Sequence, residues 1–166
     1  KEIREQQNKV VDELMSDLVD QAESQSDNNV LFFFIDTEYG ISGLLGNKLL
    51  DIYQKPVFVL KSVDDEYKGS MRACGVDNFA EMVNNTGLAK CEGHELASGF
   101  SMSKNDYDKC AEVINNCLAD VEFEEQVIAD IQLDITQINR QLIDNFKSID
   151  FLSGTGFKPL TVMITG

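Results

Sequence analysis

The run Val-Leu-Phe-Phe-Phe-Ile at residues 30 to 35 is apolar without a break and is bounded on both sides by polar residues. A strand with one wet face would alternate in character, so a continuous run of this length predicts a strand buried on both faces, with helices covering it from either side. Residues 57 to 60, Val-Phe-Val-Leu, read as a second strand entered through Pro56. Between the two, Leu44, Leu45, Leu49, Leu50 and Ile52 recur at helical spacing behind a turn bearing Gly40 and Gly43. Strand, helix and strand make a βαβ unit, in which the strands pair in parallel. The expected fold class is therefore α/β: a mixed, largely parallel sheet with helices on both faces, followed by a partial extra segment.

The remaining pattern fills in around that unit. Ile3, Val10, Val11, Leu14, Leu18 and Ala22 lie along one stripe of a long amphipathic helix that ends in the polar residues 25 to 29. Residues 62 to 67 read as an acidic loop and 71 to 76 as a third strand carrying Arg72. Asp77 then caps a helix through Phe79, Met82 and Val83 that stops near Gly87. His94 comes after a loop and precedes a short strand at 97 to 102. Ser103 caps the next helix, whose inner face carries Tyr107, Cys110, Ala111, Ile114, Cys117 and Leu118. Further on, 123 to 133 is strand-like, 135 to 146 helical, and 151 to 158 a loop in which Phe151 and Phe157 pack locally rather than stack on bases. The apolar, β-branched run at 160 to 165 is a last strand. The expected organisation is a connecting helix at 1–29, a binding domain at 30–120 and a C-terminal extension at 121–166.

At 166 residues and 43% hydrophobic, the chain can bury one good core. Cys74, Cys91, Cys110 and Cys117 lack the paired spacing of a zinc site or a disulfide framework, and free thiols in a reducing cytoplasm are expected. No apolar run approaches the ~20 residues that span a bilayer, so no membrane partner is expected. The net charge of -15, from 14 basic and 29 acidic residues, argues against tracking a long duplex, because phosphate binding draws on Lys and Arg. The acids gather at 12–23, 64–66 and 120–134, which leaves the segments around Lys68, Arg72, Lys90 and His94 freer for a local anion site.

Those segments hold the site candidates. Residues 68 to 72, Lys-Gly-Ser-Met-Arg, offer the Arg72 guanidinium beside Gly69 and the Ser70 hydroxyl. Some twenty residues on, the only histidine, His94, stands next to Gly93 and five residues before Gly99. A glycine-bearing turn such as Gly40 to Gly43 holds an anion at a helix N-terminus, or simply packs closely, with nothing in the residues to choose between the two. Arg72 has a rival reading as the partner of a surface carboxylate, and His94 as a structural residue. Together Gly40, Gly43, Gly69, Ser70, Arg72, Gly93, His94 and Gly99 suggest a phosphate-binding pocket.

Gly69 to Arg72 fits the pattern Gly-Ser-x-Arg, and Gly93, His94, Ala97 and Gly99 fit Gly-Gly-His-x-x-Ala-x-Gly with Glu92 in place of the first glycine. In this order, and behind the strand–turn–helix–strand upstream, the segments resemble the substrate-binding domain of the DHH phosphoesterases, most closely that of RecJ-like single-strand-specific exonucleases. The resemblance implies a domain that binds single-stranded DNA ends or short oligonucleotides for a 5'-3' exonuclease. It also implies a missing N-terminal DHH domain as partner, with manganese or magnesium held there and no cofactor held by this chain, which contains no Asp-His-His segment. A start at Lys1 and an end just after an apolar strand suggest a fragment, with residues 121–166 beginning an OB-like domain. Two other readings stand beside it: the binding domain of a nano-oligonucleotide or cyclic-dinucleotide phosphodiesterase, and a non-catalytic acidic interaction module.

Overall fold

The computed structural model of the chain describes residues 2–37, 40–123, 129–150 and 161–165. Expectations that fall on Glu38 and Tyr39, on residues 124–128, and on Phe151 and Phe157 lie outside the described residues. The chain divides into two compact units, Lys1–Glu124 and Glu125–Gly166.

In the first unit, helix α1 (Glu2–Glu23) leads to strand β1 (Leu31–Phe34), helix α2 (Ser42–Tyr53) and strand β2 (Val57–Val63). Strand β3 (Glu66–Arg72), helix α3 (Phe79–Asn85), strands β4 (Ala89–His94) and β5 (Ala97–Ser103), and helix α4 (Tyr107–Cys117) complete it. The strands form one sheet in the order β1-β2-β3-β5-β4. β1 and β2 pair in parallel across α2, as a βαβ unit requires. The other three pairings are antiparallel, which corrects the expectation of a largely parallel sheet. The cause is local. Residues 62–67 are not a loop: β2 runs on to Val63, Asp64 turns in the left-handed region (φ 49°) with Asp65, and β3 starts at Glu66. A turn of two residues can only send the chain back alongside itself. Glu95 and Leu96 do the same between β4 and β5, so His94 ends a strand and is not preceded by a loop. Ser103 does act as a cap, its side chain accepting from the Asn105 amide, but the element it caps is a 3-10 turn, Lys104–Asp106, that precedes α4.

Helices cover both faces, and each face has its own core. On one side Val11, Leu18 and Ala22 of α1 and Leu45 and Leu49 of α2 meet Leu31, Phe33, Val57 and Val59. On the other, Phe79 and Val83 of α3 and Cys110 and Ile114 of α4 meet Phe32, Phe58, Leu60, Met71 and Phe100. Phe58 stacks on Phe32 with ring centroids 4.8 Å apart and touches Phe100 at 4.6 Å and Phe79 at 5.9 Å. Leu44 and Ile52 of α2, expected inside, are exposed. Cys110 and Cys117 were expected to share a buried face; Cys110 is buried, whereas Cys117, on the last turn of α4, is exposed.

The free edge of β1 is closed by side chains. Gln25 donates to the Phe32 carbonyl (2.8 Å) and accepts from its amide (2.9 Å), and Gln21 does the same for Phe34 (3.0 and 2.7 Å). At the opposite edge Asn84 of α3 makes the same pair of bonds to Cys91 of β4 (3.1 and 2.7 Å).

In the second unit, strand β6 (Ile131–Asp134), a 3-10 turn (Ile135–Gln137), helix α5 (Arg140–Asp150) and strand β7 (Val162–Thr165) are described. Asp134 and Gln137 form a capping box at the turn. β6 and β7 pair in parallel, and no closed barrel is present among the described residues, where the start of an OB-like domain was expected. No helix among the described residues is long and apolar enough to cross a membrane.

Two measurements test this packing. A Cβ placed on Gly69 would stand 1.8 Å from the Val59 carbonyl oxygen, and main chain cannot step aside. Gly69→Ala should therefore cost on the order of 4 kcal/mol or prevent folding, whereas Gly99→Ala, with nothing nearer than 3.6 Å, should change stability by no more than about 0.5 kcal/mol, both read by urea denaturation. Burial pushes the Cys110 thiol from 9.0 up to about 11. The folded chain thus holds that proton more tightly than the unfolded one, so stability is full below pH 9.0 and declines towards about 11. Melting temperatures across that window should fall, and Cys110→Ala should flatten the decline.

Candidate nucleic-acid interface

Residues directly opposite in an antiparallel ladder share a face, so the register lays out the site row by row. Val57, Arg72, Ala97 and His94 form one row across β2, β3, β5 and β4. Val59, Ser70, Gly99 and Glu92 form the next. Val57 and Val59 belong to the core beneath α1 and α2, so Arg72, Ser70, Glu92 and His94 all point to that side of the sheet. His94, Glu92 and Gly99 there are exposed to solvent.

Arg72 is held where β3 passes α2. Its stem crosses Gly46, where a Cβ would meet the Arg72 Cγ at 3.0 Å. Its Nε donates to Asn47 Oδ1 at 2.7 Å and its Nη1 to the Met71 carbonyl at 2.8 Å. Its Nη2 lies over Gly43, 2.8 Å from where a Cβ would be. The guanidinium therefore rests on the first turn of α2, whose leading amides lack intrahelical acceptors and carry the positive end of the helix dipole. No side chain caps that turn; its Ser42 hydroxyl instead shares a hydrogen bond with Ser70 at 2.8 Å. The described hydrogen bonds of Arg72 thus go to an amide and a carbonyl, not to the surface carboxylate of the rival reading.

His94 stands two strands from Arg72 in the same row, about 10 Å away at the backbone from the spacing of paired strands. The methyl of Ala97 and the bare backbone of Gly99 form the floor between them. An anion touching both must lie over that floor. Glu92, beside it, accepts from the Lys90 ammonium at 2.6 Å, which holds its carboxyl below the usual range.

The structure thus brings Gly43, Ser70, Arg72, His94 and Gly99 to one open face. It separates others. Gly69 and Gly93 occupy the alternate rows, with Leu60 and with Ser98, and shape the strands: Gly69 by its approach to β2, and Gly93 by a φ of 141° that side chains rarely adopt. Gly40 is exposed, with nothing within 4 Å of a Cβ placed on it. Ser42, Gly46 and Asn47 were not anticipated. Gly43, Gly46 and Asn47 stand at i, i+3 and i+4, one face of a helix, and two glycines on such a face are the signal that something passes closely. Among the described residues no three His, Cys, Asp or Glu side chains gather to hold a metal ion.

No family model matches the chain. It is 25% identical over 154 residues to YorK of Bacillus subtilis strain 168, provisionally assigned there as an SPbeta prophage-derived single-strand DNA-specific exonuclease, and equally to the YorK protein of Bacillus phage SPbeta. The match covers 85% of this chain and 27% of either relative, so the chain spans about a quarter of their length. The fold is that of part of RecJ. It superimposes on RecJ of Thermus thermophilus in complex with Mn2+ with a TM-score of 0.64 at 19% identity, over 95% of this chain and 24% of that one. It matches another crystal structure of RecJ bound to manganese with a TM-score of 0.60 at 17% identity, over 75% and 31%.

Proposed function

We propose that this chain is the nucleic-acid-binding domain of a RecJ-like 5'-3' exonuclease, receiving the end of a single-stranded DNA. The observation that carries this reading is the Arg72 guanidinium, fixed on the uncapped first turn of α2 and facing the same side of the sheet as His94. Two hydrogen bonds hold its Nε and Nη1, so the group is already oriented when a ligand arrives and little freedom is lost on binding. A guanidinium aimed beside free helix amides suits a phosphate, which takes charge-assisted bonds from both. The hydroxyls of Ser42 and Ser70 add donors at the same place, and His94 closes the far side of the floor.

The described residues supply no metal ligand set, and no hydrolytic step is derived from them. Cleavage belongs, in this proposal, to a DHH domain elsewhere in the parent protein, with manganese or magnesium activating water there. The part played here is positioning, which contributes several kcal/mol to a reaction when it holds the scissile group in place.

Arg72→Ala and His94→Ala should each weaken binding of a 5'-phosphorylated oligo-dT by about tenfold or more, as expected for a lost charge-assisted bond, in fluorescence anisotropy. If both variants bind like the parent, the acidic interaction module becomes the better reading. Gly43→Ala separates binding from stability: alanine favours the helix by about 0.8 kcal/mol, yet its methyl displaces Nη2, so melting temperature should hold or rise while affinity falls. The purified chain with Mn2+ should show no appreciable nuclease turnover; robust metal-dependent cleavage would overturn the division of labour.

A further inference from the structure

Resting on the end-binding reading above, we infer that Lys68 and Lys90, facing one another across Ser101, form a second subsite for an internal phosphodiester of the same strand. Lys61, Lys68, Ser101 and Lys90 occupy one row across β2, β3, β5 and β4. That row lies on the same side of the sheet as Arg72 and His94, because Lys68, Ser70 and Arg72 fall at every second position of β3, and Lys90, Glu92 and His94 do so on β4. Ser101 is small, so the gap between the two ammonium groups stays open.

The chemistry of the row fits a phosphodiester. The side chains of Lys68 and Lys90 are 51% and 68% exposed. Each is paired with a glutamate two positions along its own strand: Lys68 with Glu66 at 2.7 Å and Lys90 with Glu92 at 2.6 Å. Exposed pairs of this kind contribute little, so a phosphate can take the place of either carboxylate at small cost. Lys61 is spent differently, donating to the Thr37 carbonyl at 2.7 Å. In a chain of net charge -15, a face that collects these cations beside Arg72 has a use, and the glutamates keep it from binding anions indiscriminately.

Distance decides which ligands reach both subsites. Four residues of strand separate Arg72 from Lys68, about 13 Å. A stacked single strand advances about 3.4 Å per nucleotide, so roughly four nucleotides are needed to cover the interval, and a dinucleotide falls short.

The test compares pdT2 and pdT8 binding to the 166-residue chain by titration calorimetry and anisotropy over a range of salt. Lys68→Gln/Lys90→Gln should weaken pdT8 about tenfold and make its dependence of log K on log salt shallower by about 0.7, the value for one phosphate on a single strand, with pdT2 unaffected. Unchanged pdT8 binding, or an equal loss for pdT2, overturns the subsite. Loss of both probes on Arg72→Ala, with the lysine variant indifferent, overturns the subsite and keeps the end site. A parent chain that binds neither probe overturns both.

Discussion

β3 runs so close to β2 that Gly69 has no room for a side chain, and this approach sets the register on which everything beyond it depends. With Gly69 opposite Leu60, Arg72 falls opposite Val57 and beneath α2, and Met71 falls on the other side within the aromatic core. A slip of one residue would exchange the two, burying a guanidinium and exposing a methionine. The antiparallel pairing of β3 with β5 and the hairpin from β4 to β5 then carry the same register outward, so that His94 arrives in the row of Arg72 across the intervening strand.

Much of this was legible in the residues. The unbroken apolar runs at 30–35 and 57–60 announced strands covered on both faces, and the helix between them announced parallel pairing, because burial leaves a periodicity in the chain. The hairpins were not legible. Asp64-Asp65 and Glu95-Leu96 lack the glycine or asparagine that marks a tight turn, and the polar side chains of Glu66, Lys68 and Ser70 disguised a strand whose outer half faces water. Arg72 and His94 stood out by type and by resemblance. Asn47, which orients Arg72, did not, since an amide on a helix carries no signal until its partner is known.

Charge on this molecule is arranged by face rather than by sum. Among the described residues most acids lie off the strands, while the sheet surface beyond α2 carries its cations in rows, Lys68 and Lys90 each masked by a glutamate two residues away. Glu92 has a double position: it masks Lys90, and it stands beside the floor between Arg72 and His94, at the place where the Gly-Gly-His pattern has its first glycine. A ligand that enters there must either avoid that carboxylate or draw Lys90 away from it.

Gln21 of α1, Gln25 just beyond it and Asn84 of α3 bear on how this unit meets anything larger. The outward amides and carbonyls of Phe32 and Phe34 are already engaged, and so are those of Cys91 on the far margin. Neither border offers the free ladder that a neighbouring chain would need in order to lengthen the sheet at those positions. A second protein body that approached broadside, over the open layer of strands, would cover the same ground that holds Arg72 and His94.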